Sequence, residues 1–145
     1  MAVKVKLITL WRREVDNRPG ALAETVAPLS GAGANLQVLM GYRNPGDERA
    51  TIELSPVSGK KATAAAQQAG LSASGIPTLL VEGDDRPGIA HAITRSLADA
   101  GINLAFLVAQ VVGKKYSAVV GFESETDAKR AAGLIKKLKA PGKKK

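Results

Sequence analysis

The sequence predicts an α+β protein made of two copies of one small antiparallel-sheet unit. Three observations carry that prediction: a self-similarity at a spacing of 68 residues, short runs of alternating apolar residues, and helical stripes that start at a Pro-Gly turn and stop at a glycine. Arg18-Pro19-Gly20 recurs as Arg86-Pro87-Gly88, and Gly33-Ala34-Asn35-Leu36 as Gly101-Ile102-Asn103-Leu104. At the same spacing Ala50 to Leu54 falls on Ala118 to Phe122, so the repeat reads as gapless.

Each element follows from the residues in turn. From Val3 to Arg13 the chain sets Val3, Val5 and Leu7 against Lys4 and Lys6, then continues through Ile8, Leu10 and Trp11. This is the pattern of one strand whose burial changes along its length, and its counterpart is Ile76 to Glu82. After a turn of Asp, Asn and Arg, Pro19 and Pro87 fit the first position of a helix, where the missing N–H would have had no intrahelical acceptor. Leu22, Val26 and Leu29 in the first copy, and Ile89, Ile93 and Leu97 in the second, then lay one apolar stripe per helix on a sheet. Pro28 falls inside the first of these helices, where it removes a backbone hydrogen bond and predicts a kink costing about 3 kcal/mol; its counterpart is Ser96. Gly33 and Gly101 end the two helices by taking the left-handed conformation.

Strands are expected over 35–42 and 103–112, with return strands over 49–54 and 116–122. Asn44-Pro45-Gly46-Asp47 and Gly113-Lys114-Lys115 supply the turn chemistry between them. A second helix covers about residues 60–69 and about 126–139. The first of these has only Ala62, Ala65, Ala66 and Ala69 in its stripe, against Ala128, Ala131, Ile135 and Leu138 in the other, so it should be the more loosely held, since alanine buries little area. One more strand would complete a β-α-β-β-α-β unit, the ferredoxin-like arrangement of an antiparallel sheet covered on one face by two helices. Leu71 to Ser74 is the candidate in copy one, and nothing after Lys139 reads as a strand in copy two. The second unit is therefore expected to carry an open sheet edge, covered by pairing between units, between chains, or both. The expected division is a first domain at 1–74, a second at 75–140 and a basic disordered tail at 141–145.

Composition narrows the function classes. At 145 residues the chain is too short for a large multidomain enzyme, and 45% hydrophobic against 23% charged residues is the balance of a folded protein. Aromatics are only 3% and alanines number 24, so the core must consist of thin aliphatic layers. With zero Cys there is no thiolate metal site, disulfide framework or cysteine nucleophile, and a reducing cytoplasm is the natural compartment. No apolar run approaches the roughly 20 residues of a membrane span, and Lys4, Lys6, Arg12 and Arg13 interrupt any signal-peptide core. Of the net charge of +8, six units belong to the lysines of residues 136–145, leaving +2 on the other 135 residues. That concentration suits a solvated tail, with weak attraction to polyanions as the alternative.

The runs Asp84-Asp85-Arg86-Pro87-Gly88-Ile89 and Gly101-Ile102-Asn103-Leu104, preceded by Asp16-Asn17-Arg18-Pro19-Gly20 and Gly33-Ala34-Asn35-Leu36, resemble the ACT domain family in both copies, over roughly residues 3–138. The resemblance implies a small regulatory module that binds amino acids or related ligands where two such domains meet, through the turn after the first strand, and often dimerises. It implies ligand positions at Asp84, Asp85, Arg86, Pro87, Gly88 and Asn103, and at Asp16, Asn17, Arg18, Pro19, Gly20 and Asn35. Asn17 stands where the other copy has Asp85, which with Pro28 makes the first copy the poorer match. No catalytic domain accompanies the pair, so a non-enzymatic protein without metal or cofactor is expected. Its partners would be a small amino-acid-like ligand, a second copy in a homodimer, and a separate enzyme or transcriptional regulator.

The chemistry of the turn supports the same reading. Backbone N–H groups at the helix start, beside Gly20 or Gly88, suit a carboxylate, and a glycine permits close approach. Asp16, Asp84 or Asp85 could receive an ammonium, and Asn35 or Asn103 can donate and accept. The structural alternative is that Asp or Asn caps the helix and the Pro-Gly pair merely starts it, which leaves a ligand-free interaction or assembly module. His91, the single histidine, lacks the Cys or second His that catalysis or metal binding would need, and a structural role is expected. Ferredoxin-like folds also bind RNA on an open sheet face, but Tyr116 and Phe122 stand without a surrounding basic-aromatic motif, so nucleic acid is not an expected partner.

Overall fold

The run expected as one strand at the start of the chain is two strands in two different sheets. In the computed structural model, which describes residues 3–138, β1 (Lys4–Ile8) and β2 (Trp11–Asp16) are separated by Thr9 and Leu10. The cause is legible in the pattern: Val3, Val5 and Leu7 share one face, Ile8 falls on the other, and Leu10 is fully buried, so no single period-2 strand accommodates them all.

The chain divides into two compact units. The first, Thr9–Gly75, contains β2, α1 (Ala21–Gly31), β3 (Val38–Arg43), β4 (Arg49–Ser55), α2 (Lys60–Gln68) and β5 (Ser72–Ala73). Its sheet has the order β3-β4-β2-β5, all antiparallel, so the short segment expected as a last strand does complete the unit. The second unit takes β6 (Thr78–Asp84), α3 (Ile89–Asp99), β7 (Leu104–Val112), β8 (Lys115–Phe122) and α4 (Glu125–Lys136), together with β1. β1 pairs antiparallel with β6 from Lys4↔Glu82 to Ile8↔Thr78, giving the order β1-β6-β8-β7. The open edge expected in the second unit is thus filled by β1, so Lys4–Ile8, which the sequential division places in the first domain, belong to the second unit. Residues 139–145, which include the expected tail, lie outside the described residues.

The core of each unit lies between its sheet and its two helices. In the second unit Leu79, Val81, Ala118, Val120 and Phe122 meet Ile89, Ile93 and Leu97 of α3 and Ala128, Ala131 and Ile135 of α4. In the first, Val15, Ile52 and Leu54 meet Ala21 and Leu29 of α1 and Ala66 of α2. The buried stripe of α1 is Ala21, Thr25 and Leu29, not Leu22, Val26 and Leu29, and Leu22 is exposed. It matches Ile89, Ile93 and Leu97 position for position. α1 also runs through Pro28 to Gly31; the bond that proline forgoes is the one to the Glu24 carbonyl in the helix interior. Both helices stop as expected: Gly33 and Gly101 have φ of +80° and +73°, and the amides of Ala34 and Ile102 reach back to the carbonyls of Leu29 and Leu97, each at 3.0 Å.

The repeat is not gapless. The β7–β8 turn is two residues shorter than the β3–β4 turn, so the spacing of 68 through β7 becomes 66 in β8 and α4. Ile52 and Leu54 therefore correspond to Ala118 and Val120, and Ala62 and Ala65 to Ala128 and Ala131. The hydrogen bonds bear this out, because Asn17 N–H donates to the Glu48 carbonyl (2.9 Å) where Asp85 N–H donates to that of Lys114 (2.8 Å).

Candidate functional site

Ten of the twelve expected ligand positions lie at the two strand-to-helix turns, β2 to α1 and β6 to α3. The other two do not join them: Asn35 and Asn103 are exposed beyond the helix ends, and Asn103 Nδ2 donates to Glu123 Oε2 (3.1 Å). At each turn the glycine, not the proline, is the residue next to the helix. Gly20 and Gly88 are N-caps in the left-handed region at φ +88° and +87°, which places Pro19 and Pro87 one residue outside. No side chain caps either helix, so the alternative of a capping Asp or Asn is set aside. In α3 the first amide, Ile89, bonds the Arg86 carbonyl (3.2 Å); the next two, of Ala90 and His91, have no acceptor in the helix itself.

The two acidic strand ends are used structurally. Asp16 accepts from Arg49 Nη1 (2.7 Å) and Asp84 from Lys115 Nζ, equivalent pairs once the shift in spacing is applied. The Lys115 bond holds the Asp84 carboxyl below its ordinary value.

Beside each turn, between the helix start and the strands of the hairpin, is a cavity. That of the second unit is about 270 Å³ and is lined by Asp85, Arg86, Gly88 and the first turn of α3, and by Leu107, Ala109, Val111 and Tyr116. That of the first unit, about 230 Å³, is lined by the equivalent Asn17, Arg18, Ala21, Gly41, Arg43 and Ala50. The two have diverged in chemistry. In the first unit Arg13 Nη1 donates to the Thr25 hydroxyl (3.1 Å), which bonds the Ala21 carbonyl in turn (2.9 Å). Their counterparts are Val81 and Ile93, and the second cavity is correspondingly apolar. Arg18 is gripped by both oxygens of Glu24 (2.7 and 3.1 Å), which pulls the Glu24 carboxyl below its ordinary value. Glu24 corresponds to Ala92, and among the described residues Arg86 has no ion-pair partner.

Tyr116 also marks the second cavity. It takes the place of Ala50 and is 6% exposed, and its hydroxyl is buried without a hydrogen-bond partner. Burial, with the Asp84 charge second, raises its pKa. Its ring lies across Gly83, which replaces Val15, so a large-small exchange between paired strand positions makes room for it. Sequence reading placed Tyr116 on a strand but assigned it no ligand role; the register shift after the turn hid its alignment with Ala50. His91, expected to be structural, is exposed on α3 and lines the same cavity. Among the described residues no group of three or more His, Cys, Asp or Glu is placed to hold a metal ion, and no helix is long and apolar enough to cross a membrane.

Residues 77–140 match the ACT domain family. No curated protein matches the sequence. Among solved structures, one from Bacteroides thetaiotaomicron is similar at a TM-score of 0.74 with 14% identity, covering 92% of this chain and 99% of that one. The ligand-free regulatory subunit of aspartate kinase from Thermus thermophilus is similar at 0.62 with 13% identity, covering 93% and 95%. The corresponding regulatory subunit from Thermus flavus is similar at 0.55 with 16% identity, covering 93% and 97%. These likenesses establish the fold: two antiparallel four-stranded sheets with four helices, as two ferredoxin-like units.

Proposed function

We propose that this chain is a small-molecule-binding regulatory protein of tandem ACT type, with no catalytic step of its own, that senses an amino-acid-like ligand at the turn around Gly88. One observation carries the reading: the cavity beside α3 sets two amides without helical acceptors and a guanidinium with no ion-pair partner among the described residues next to apolar walls, the donor set and lining that a small carboxylate with an apolar side chain requires. Asp85, which lines the same cavity, is the candidate acceptor for an ammonium. The family matched by residues 77–140 and the likeness to regulatory subunits support the same reading. A ligand regulates only through a difference in affinity between two states. Here it would tie the turn and α3 to β7, the exposed sheet edge on which a second copy, or a separate enzyme or regulator, would assemble.

The test is a thermal-shift screen of the common amino acids, followed by calorimetry, on the wild type and on Gly88→Val. Expected is stabilisation by one or a few apolar amino acids that the variant loses while keeping its far-UV circular dichroism. Stabilisation unchanged in the variant would remove the turn from the site. A second reading, a ligand-free assembly module, is favoured by β7 itself, where Leu107, Val108, Val111 and Val112 are 40–68% exposed along an edge strand. Concentration-dependent dimers with no ligand response anywhere in the screen would establish it instead.

A further inference from the structure

The two repeat-related turns differ in what meets their arginine, and that difference explains why two similar turns need not bind alike. In the first unit the Glu24 carboxylate lies on the Arg18 guanidinium at 2.7 and 3.1 Å and 3.8 Å from where a Cβ on Gly20 would be, beside the N-terminus of α1. A carboxylate bound to the turn arginine at a helix start is the arrangement a carboxylate ligand would make. With Arg13 and Arg49, Glu24 and Arg18 also line a small ionic pocket of about 180 Å³. In the second unit three residues are changed together: Glu24 becomes Ala92, Arg13 becomes Val81 and Thr25 becomes Ile93, while the Arg49–Asp16 pair is kept as Lys115–Asp84. Among the described residues Arg86 is left without a carboxylate, beside an apolar cavity that Tyr116 helps to line.

We propose that Glu24 is a built-in occupant of the first unit's anion subsite, so that the first turn is closed by its own chain. The second turn alone takes a free ligand, a small monocarboxylate with a branched or aromatic apolar body. The proposal rests on the reading of the Gly88 turn as a ligand site and adds the number of open sites per chain, the ligand class and the residue that sets both. Arg86 and the Ala90 and His91 amides receive the carboxylate, and Leu107, Ile89, Ile93 and the Tyr116 ring pack against the body.

The two sites can be read separately by NMR of the arginine Nε–H groups, in full-length protein titrated with leucine and, in a second series, with 3-methylbutanoate, which lacks the ammonium. Wild type should show a saturable shift at Arg86 and none at Arg18. Glu24→Ala should make Arg18 respond to 3-methylbutanoate, and Ala92→Glu should weaken the Arg86 response about ten- to a hundredfold, the worth of one charge-assisted hydrogen bond. Thermal melts of both variants confirm that they fold, and if Ala92→Glu does not, Ala92→Gln, which carries no charge, should leave the Arg86 response within about threefold of wild type. Equal responses at Arg18 and Arg86 in wild type would overturn the proposal. A response at Arg86 in wild type with Arg18 still silent in Glu24→Ala would leave the Gly88 turn a ligand site and overturn the role of Glu24. Silence at both arginines in all proteins would overturn the ligand site and the proposal together.

Discussion

Exchanging Gly83 and Tyr116 for the residues the first unit carries, singly and together, probes whether the two units are one design with compensated differences. A Cβ on Gly83 would lie 2.8 Å from Tyr116 Cε2, 2.9 Å from Oη and 3.0 Å from Cζ, well inside the roughly 3.5–4.0 Å of favourable carbon contact. Gly83→Val must therefore displace a ring that is 94% buried by the same sheet and helices, an overpacking cost of about 1–3 kcal/mol. Tyr116→Ala loses a buried aromatic ring, about 3–5 kcal/mol, less the about 1–3 kcal/mol associated with burying a hydroxyl that has no partner. The double variant recreates the Val15–Ala50 pair of the first unit and should be more stable than the sum of the single changes by about 1–3 kcal/mol. Urea denaturation followed by far-UV circular dichroism measures the cycle, with Trp11 fluorescence as the internal control, since Trp11 belongs to the first unit. Effects that add to within about 0.5 kcal/mol would mean that the two residues do not share the space the structure gives them.

Removing residues 1–8 should strip the fourth strand from the second unit only; hydrogen exchange would show loss of protection along β6 with β2 and β4 retained, and equal loss in both sheets would contradict the strand exchange. Leu29→Ala should cost about 2–5 kcal/mol in a denaturant melt, as should Leu97→Ala, whereas Leu22→Ala should stay within about 0.5 kcal/mol because Leu22 lies off the buried stripe. Glu24 and Asp84 both titrate below their ordinary values when folded, so the stability they lend is complete above the ordinary carboxylate range and lost as pH falls through their depressed values. The difference in urea midpoint between wild type and Glu24→Gln should accordingly be present at pH 7, vanish in acid below the carboxylate range, and shrink with added salt; a gap that widens on acidification would reverse the sign.

Much of this architecture is legible in the residues because local physics dominates there. The glycine stops of α1 and α3, the stripe of α3 and the short β5 segment needed only turn chemistry and periodicity. What stayed hidden depends on partners distant in sequence. Whether Val3 to Trp11 is one strand or two is decided by which edge each half pairs with, and β6 is some 70 residues away. The stripe of α1 was obscured because a threonine, Thr25, occupies the core position that Ile93 fills in the other copy, held there by its bond to the Ala21 carbonyl. At the turns the sequence singles out backbone that borders both cavities, but not the side chains that distinguish the two. Glu24 and Ala92 could have been found from the spacing alone, whereas Tyr116 could not, since its partner Ala50 emerges only when two residues are dropped from the hairpin turn.

The exchanged strand also follows from chain physics once the first unit is in place. Left to itself, the pairing of β1 with β6 must close a loop of about 70 residues, and closure entropy rises with the logarithm of loop length. The first unit brings its own ends together: β2 pairs with β5 at Trp11↔Ala73 and Arg12↔Ser72, and the Ser74 amide donates to the Leu10 carbonyl (2.7 Å). With that ladder formed, the effective loop between Ile8 and Thr78 shrinks to about five residues, a saving of about 2 kcal/mol in closure entropy. The first unit therefore serves as a folded connection between two strands of the second. That is why a second unit whose described residues after α4 form no strand still has a four-stranded sheet, and why a change that unfolds the first unit should loosen β1 from β6 without touching a residue of either.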